Sequence, residues 1–282
     1  IPPYWGSKLI ELYYFSDDEV YKLGHEWYRS NLPLVCNSSK DIMVYEKTPR
    51  YFYRQKTPER VHEFNPDMKL ILILSDPVKR TQSDVSNCAW VQKEKNLNQT
   101  CLQMNEFMES IMFYNNLTNW DPLWDLLEWP LMGEDNLAIN YENDTLSRLQ
   151  VVRGSIYHVH MARWLKYFNL SSFHFVDGDK FSKKPWVELR KVERFLNLKP
   201  YISEKHFKFN QTKKFYCLTD LAKASFPEPI NATDSCLEEI KGKPSHVYLS
   251  DRVKRRLQEY FEDKNELFYN MINRRFDWRG LV

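Results

Sequence analysis

The 282-residue chain is 43% hydrophobic, 28% charged and 15% aromatic, with 14 Pro and only 7 Gly, which excludes disordered, collagen-like and low-complexity proteins and leaves enough chain for a sizeable core. Lys and Arg number 40 against 38 Asp and Glu, a net charge of +2, so bulk charge does not bind nucleic acid here and an anionic partner must meet a local cluster. No apolar run approaches the ~18 residues of a membrane span, and five cysteines without a C-x-x-C pair fit neither a disulfide scaffold nor a zinc site.

In chain order, the first predicted strand is Ile42–Tyr45, ending at Glu46-Lys47-Thr48-Pro49. Leu70–Leu74 is continuously apolar, as in a parallel strand covered on both faces, and Asp76-Pro77 then signals helix entry. Residues 88–150 are polar and Trp-rich and read as an insertion. Tyr157, Met161, Trp164, Leu165 and Phe168 recur at helical spacing, followed by a strand at Phe173–Val176 that Asp177-Gly178-Asp179 terminates. Pro185 opens a helix carrying Trp186, Leu189, Val192 and Leu196. A last helix, capped by Ser250 or Asp251, carries Leu249, Val253, Leu257 and Phe261. Strands alternating with helices predict an α/β fold with a central, mainly parallel sheet flanked by helices. Without repeats or a Pro/Gly-rich linker, residues 1–282 read as one domain with an insertion at about 88–150.

Asn37, Asn98, Asn116, Asn143, Asn169, Asn210 and Asn231 each begin an N-x-S/T triplet. Chance gives about two or three in such a chain, so the excess predicts glycosylation in the secretory pathway. Ile1 is not an initiator Met, and the chain is expected to be part of something longer.

Ligands of parallel α/β sheets sit at the carboxyl ends of strands. After the first strand stands Lys47, suited to stabilise charge on a transferring group or simply a solvated lysine. After the second come Ser75, Asp76, Lys79, Arg80 and Ser83. Helix-terminal amides, a hydroxyl and cations make an anion site there, or ordinary capping. His158 and His160, at i and i+2, do not share a helix face, so no metal is expected. Lys183-Lys184 and Lys254-Arg255-Arg256 read as solvated faces, with contact to a sulfated glycan as the alternative.

These segments, in this order, resemble the heparan sulfate glucosamine 3-O-sulfotransferases. Glu11 to Phe15 resembles that family's E-V-H-F-F strand, Glu46 to Phe52 its E-K-T/S-P-x-Y-F, and Leu72 to Asp84 its L-I-L-R-D-P-x-x-R-x-x-S-D. Ser155 to Met161 with Trp164-Leu165 resembles S-L-Y-H-V-H-M-x-x-W-L, and His206 to Leu218 resembles H-F-Y-F-N-K-T-K-G-F-Y-C-L. Lys241-Gly242-Lys243 resembles K-G-R, and Phe276 to Trp278 the closing F-x-W. The resemblance implies a sulfotransferase, P-loop-like architecture. It implies sulfuryl transfer from 3′-phosphoadenosine 5′-phosphosulfate to the 3-hydroxyl of glucosamine in heparan sulfate or heparin.

The family's roles carry over position by position. Glu11 becomes the general base and Lys47 the cation at the transferring group. Ser75, Arg80, Ser83, Tyr216, Lys241, Gly242 and Lys243 fall on the donor side, and Tyr13, Asn87 and His160 on the acceptor side. A Cys217–Cys236 disulfide is implied, with Cys88 and Cys101 as a second candidate pair and Cys36 left over. The resemblance further implies a Golgi-lumenal enzyme, anchored upstream as a type II membrane protein or secreted. It implies a monomer, with no nucleic-acid partner. The departures are Ser75 for Arg, Tyr13 for His, Lys243 for Arg, His246 one place late, and no K-x-G-T-x loop within IPPYWGSKLI. They motivate the alternative of a diverged or truncated, non-catalytic homologue that binds sulfated glycans.

Overall fold

The computed structural model describes residues 11–32, 43–94 (side chains to 87), 150–212, 214–223, 236 and 249–278. Its helices in chain order begin with α1 (Asp18–Tyr21), α2 (Gly24–Ser30) and α3 (Thr57–Phe64), before strand β1 (Leu70–Leu74) and α4 (Pro77–Glu94). There follow α5 (Gln150–Arg153), α6 (Tyr157–Trp164), β2 (Phe173–Asp177), α7 (Gly178–Lys183) and α8 (Pro185–Phe195). The hairpin strands β3 (Phe207–Asn210) and β4 (Phe215–Leu218), α9 (Asp220–Lys223) and α10 (Asp251–Ile272) complete the order. Among the described residues, no helix is long and apolar enough to cross a membrane. The Lys241-Gly242-Lys243 segment, the remaining five sequons, Cys36, Cys101 and the side chain of Cys88 lie outside the described residues.

The chain divides into two compact units, and among the described residues it passes between them after Met68, Tyr157 and Ser172. The first is built on aromatic packing. Tyr14 and Phe15 are buried, and Tyr14 stacks on Tyr28 at 4.6 Å while Phe15 meets Phe64 edge-on at 5.5 Å. The turn that buries them is pinned from α3. Thr57 Oγ1 and an Arg60 guanidinium nitrogen both donate to the Phe15 carbonyl, at 3.1 and 3.3 Å. Asp17 caps α1 by accepting from the Glu19 and Val20 amides, the role short carboxylates play at helix starts. Trp164 on α6 donates its indole N–H to the Phe52 carbonyl at 2.9 Å.

The second unit holds the parallel pair. β1 and β2 run side by side with Leu70 opposite Phe173 and Leu74 opposite Asp177. Gly178 follows directly, and a side chain there would meet the Leu74 carbonyl at 2.9 Å, so only glycine lets the two strand ends close this far. α10 presents Val253, Leu257, Phe261, Phe268 and Ile272 to the core at spacings of four and seven, one helix face. Ser250 caps it, and Asn273 ends it in the left-handed conformation (φ 50°). The closing Phe276 and Trp278 stack at 4.5 Å and pack on Phe268.

Three sequence expectations are corrected. Glu11–Phe15 is not a strand: Tyr13 turns the chain at φ 54°, and its carbonyl accepts from Ser16 and Asp17. Residues 43–45 form no strand either; their side chains are exposed, and no ladder partner exists for them among the described residues. β1 is not covered on both faces, because Ile71 and Ile73 are exposed while Leu74 is buried.

Cys217 and Cys236 are joined in a disulfide that closes a loop of 19 residues in sequence separation. A loop of that length raises stability by about 3 kcal/mol through the unfolded chain. Cys217→Ser is expected to lower the urea midpoint accordingly, and reductant should then change the variant's midpoint little.

Candidate active site

The carboxylate of Glu11 and the ammonium group of Lys47, 36 residues apart in sequence, meet at 2.8 Å in the first unit. Local structure brings them together. Glu46, part-buried beside Lys47, accepts from the Leu12 amide at 3.5 Å and from Thr48 Oγ1 at 2.5 Å. Thr48 Oγ1 in turn accepts from the Tyr13 amide at 3.4 Å. The two segments are thus stitched backbone to side chain, and Pro49 opens a 3-10 turn immediately after.

Tyr13 donates its phenol to the second oxygen of Glu11, and the guanidinium of Arg50 lies 5.2 Å from the centre of its ring. Tyr13 adopts a left-handed backbone that is costly for a side chain bearing a Cβ, and this aims the phenol at the carboxylate. Burial pushes the Glu11 carboxyl up. The hydrogen bonds from Lys47 and Tyr13 and the charges of Lys47 and Arg50 outweigh it, so Glu11 ends below the usual carboxylate range. Burial and the adjacent Glu11 raise the Tyr13 phenol to about 12. The Lys47 side chain is 55% exposed and Glu11 25%. A pair this open contributes roughly 0–1 kcal/mol to stability, so Lys47 is readily drawn to a competing anion.

His160 belongs to the same unit, yet it is fully buried, packed on Phe52 with Nδ1 facing Arg163. It presents no surface to an acceptor, which corrects its expected contact role. Burying aromatic rings around it turns the residue into core.

In the second unit, the segment after β1 forms a different arrangement from the expected cradle of helix amides. The buried Asp76 carboxylate accepts from the Val78 and Lys79 amides at 2.8 and 3.3 Å, so capping already satisfies them. Lys79 is paired with Asp179 at 2.9 Å. Ser75 is part-buried, and its carbonyl accepts from Tyr157 OH. What faces outward on α4 is a row at i, i+3, i+4 and i+7: Arg80, the exposed Ser83, Asp84 and the exposed Asn87.

Arg80 is held by Ser155 Oγ at 2.9 Å and by Asp84 at 2.8 Å. It lies over Gly154, where a Cβ would come within 2.6 Å of the guanidinium. Tyr216, on β4, is part-buried with its ring edge-on to Trp186 at 5.4 Å. Gly154, Ser155, Thr48 and Arg50 were not singled out as functional from sequence. Their part is visible only when chain segments far apart meet, although Ser155 opens one of the recognised motifs. Of the two described sequons, Asn169 is exposed, while Asn210 is part-buried and directs its amide at the Cys236 sulfur.

The sulfotransferase domain pattern matches residues 26–269. The chain is 32% identical over 268 residues to heparan sulfate glucosamine 3-O-sulfotransferase 5 of Homo sapiens, a match covering 95% of this chain and 65% of that protein. It is 32% identical over 261 residues to heparan sulfate glucosamine 3-O-sulfotransferase 6 of Homo sapiens, covering 93% and 63%. Thus the chain spans less than two thirds of the length of these relatives. A solved sulfotransferase from Alicyclobacillus acidocaldarius shares the fold, with a TM-score of 0.51 at 16% identity, over 95% of this chain and 85% of that one. With most of its length matching the domain and its α/β fold shared with a solved relative, this chain belongs to the sulfotransferase family.

Proposed function

We propose that the protein transfers a sulfuryl group from 3′-phosphoadenosine 5′-phosphosulfate to the 3-hydroxyl of glucosamine in heparan sulfate. The observation that carries this reading is the Glu11–Lys47 pair, a carboxylate and a cation 2.8 Å apart and still open to solvent. The relatives' names supply the acceptor. A sugar hydroxyl is a weak nucleophile near pH 7, so it needs a positioned base. Glu11, held ionised by its neighbours, takes the hydroxyl proton as the sugar oxygen bonds to sulfur and the bond from sulfur to the donor phosphate oxygen breaks. Lys47 leaves its weak pairing to meet the negative charge on the moving SO₃ and departing phosphate, which frees the carboxylate to act. The leaving nucleotide is 3′-phosphoadenosine 5′-phosphate.

On the donor side, Arg80 and Ser83 supply a guanidinium and a hydroxyl on one helix face for the nucleotide's 3′-phosphate. Arg80 stands on the second Arg of the family's motif and is the guanidinium that remains where Ser75 replaces the first. No metal takes part in this scheme. The site acts in the Golgi lumen, in keeping with the density of glycosylation triplets.

The test measures transfer of labelled sulfate to N-sulfated heparan, with calorimetry of 3′-phosphoadenosine 5′-phosphate binding. Saturable transfer to the 3-hydroxyl and measurable nucleotide heat are expected; a folded protein giving neither overturns the reading. Gly154→Ala supplies a finer check. The flexible Arg80 side chain swings away rather than the helix, so thermal stability should hardly change while nucleotide affinity falls about tenfold, the scale of one charge-assisted contact.

A further inference from the structure

Residues 178–208 hold nine basic and four acidic side chains, a surplus of five in a chain whose total is +2, so the rest of the molecule is net acidic. Folding sharpens the contrast. Lys180, Lys183, Lys184, Arg190, Arg194, Lys199, Lys205 and Lys208 are exposed, whereas Glu204 is the one exposed acid of the segment. Glu188 and Glu193 are turned inward, buried against Lys191 and against the Tyr201 and Ile202 amides respectively. The outward cations therefore lose the partners that sequence alone would assign to them. Apart from Lys180, which reaches Asp177, none forms an ion pair among the described residues.

Their placement is ordered. Arg190 and Arg194, four apart, form one stripe on the outer face of α8, and Lys183 and Lys184 stand at the end of α7 just before it. Arg190 donates through Nε to the Ile202 carbonyl at 2.8 Å, which draws the loop carrying Lys199 against that stripe. The loop also sets Tyr201, 54% exposed, flat on the buried His206 ring at 4.8 Å among the cations. Rows of unpaired cations flanking an exposed aromatic ring match an extended anionic polysaccharide, which offers repeated sulfates and the apolar faces of sugar rings.

We infer that the outer surface of α7, α8 and the 197–205 loop is a second binding surface for sulfated polysaccharide, separate from the residues that perform transfer. It rests on the proposed acceptor class, and its ligand is another stretch of the same polysaccharide. Binding there releases counterions from the polyanion, so it weakens with salt, and long acceptors gain over short ones.

The test compares the full chain with K183S/K184S/R194S/K199S on immobilised heparin and with acceptors of two lengths. Arg190 is kept because it braces the loop, and circular dichroism verifies the fold. Expected are elution at lower salt, a Kd for heparin weakened on the order of tenfold near 0.15 M salt with a shallower salt dependence, and a raised KM for long but not short acceptors at constant kcat. R252S/R255S/R256S, which removes cations from α10, should elute close to the parent. Elution of the quadruple variant with the parent overturns the inference. So does an equal loss in the α10 variant, which would mark bulk charge, or a defect limited to anionic lipid vesicles, which would mark a membrane surface. If no variant transfers sulfate, the proposed reaction fails, yet heparin elution still decides this surface.

Discussion

Glu11→Gln is expected to lower kcat about a thousandfold with little change in nucleotide affinity or fold. The substitution keeps the shape of the side chain but abolishes its basicity, and general base catalysis of this kind contributes roughly 10²–10⁴. The amide keeps one oxygen to accept from Lys47 and presents its NH2 to Tyr13, whose hydroxyl can turn to accept from it, so the side chain keeps its place while proton removal is lost. Steady-state sulfate transfer and nucleotide calorimetry on the same preparation separate the two. Retained turnover would remove Glu11 from the chemistry. The pH dependence carries the same assignment. The folded carboxyl lies below its unfolded value because Lys47, Tyr13 and Arg50 outweigh burial. Its contribution to stability is therefore present above the unfolded value and is lost as pH falls through the folded one. The acid limb of kcat/KM is expected below the usual carboxylate range.

Lys47→Ala should have the second-largest effect, a loss of about 10²–10³ in kcat, the scale of one donor aimed at developing charge. It also removes the 2.8 Å partner of Glu11, so the acid limb should move to higher pH. Tyr13→Phe takes away the other hydrogen bond and should move the limb the same way by less, with a smaller loss of rate. The pH profiles of the two variants distinguish a positioned cation from a residue that only holds the turn. A Lys47→Ala variant with an unshifted limb and near-parent kcat would reduce the pair to a surface contact.

The helices α4, α6, α8 and α10 and the strands β1 and β2 were legible because their signals are local. Val253, Leu257 and Phe261 repeat with the helix, Ser250 is a hydroxyl at a helix start, and Leu70–Leu74 is an apolar run bounded by turn residues. The motif residues Glu11, Lys47, Arg80 and Ser83 were legible by resemblance. The state of the segments around them was not. Glu11–Phe15 looks strand-like, yet whether a strand forms depends on a partner far away in sequence, and Tyr13 turns the chain instead. Asp76 was read as either a cap or part of an anion cradle, and only the amides it faces decided for the cap.

What the sequence by itself determined is the family, the longer helices with the parallel strand pair, and the identity of the groups able to do chemistry, because each is written in residue type and short-range spacing. The tertiary structure alone decided how those groups are partnered. It joined Glu11 to Lys47, enclosed His160, set Arg80 over Gly154, and turned Glu188 and Glu193 inward beneath a surface of unpaired cations. The physical reason is common to all four. A side chain's charge, burial and hydrogen bonds come from neighbours brought close by packing, at sequence distances that no local pattern records.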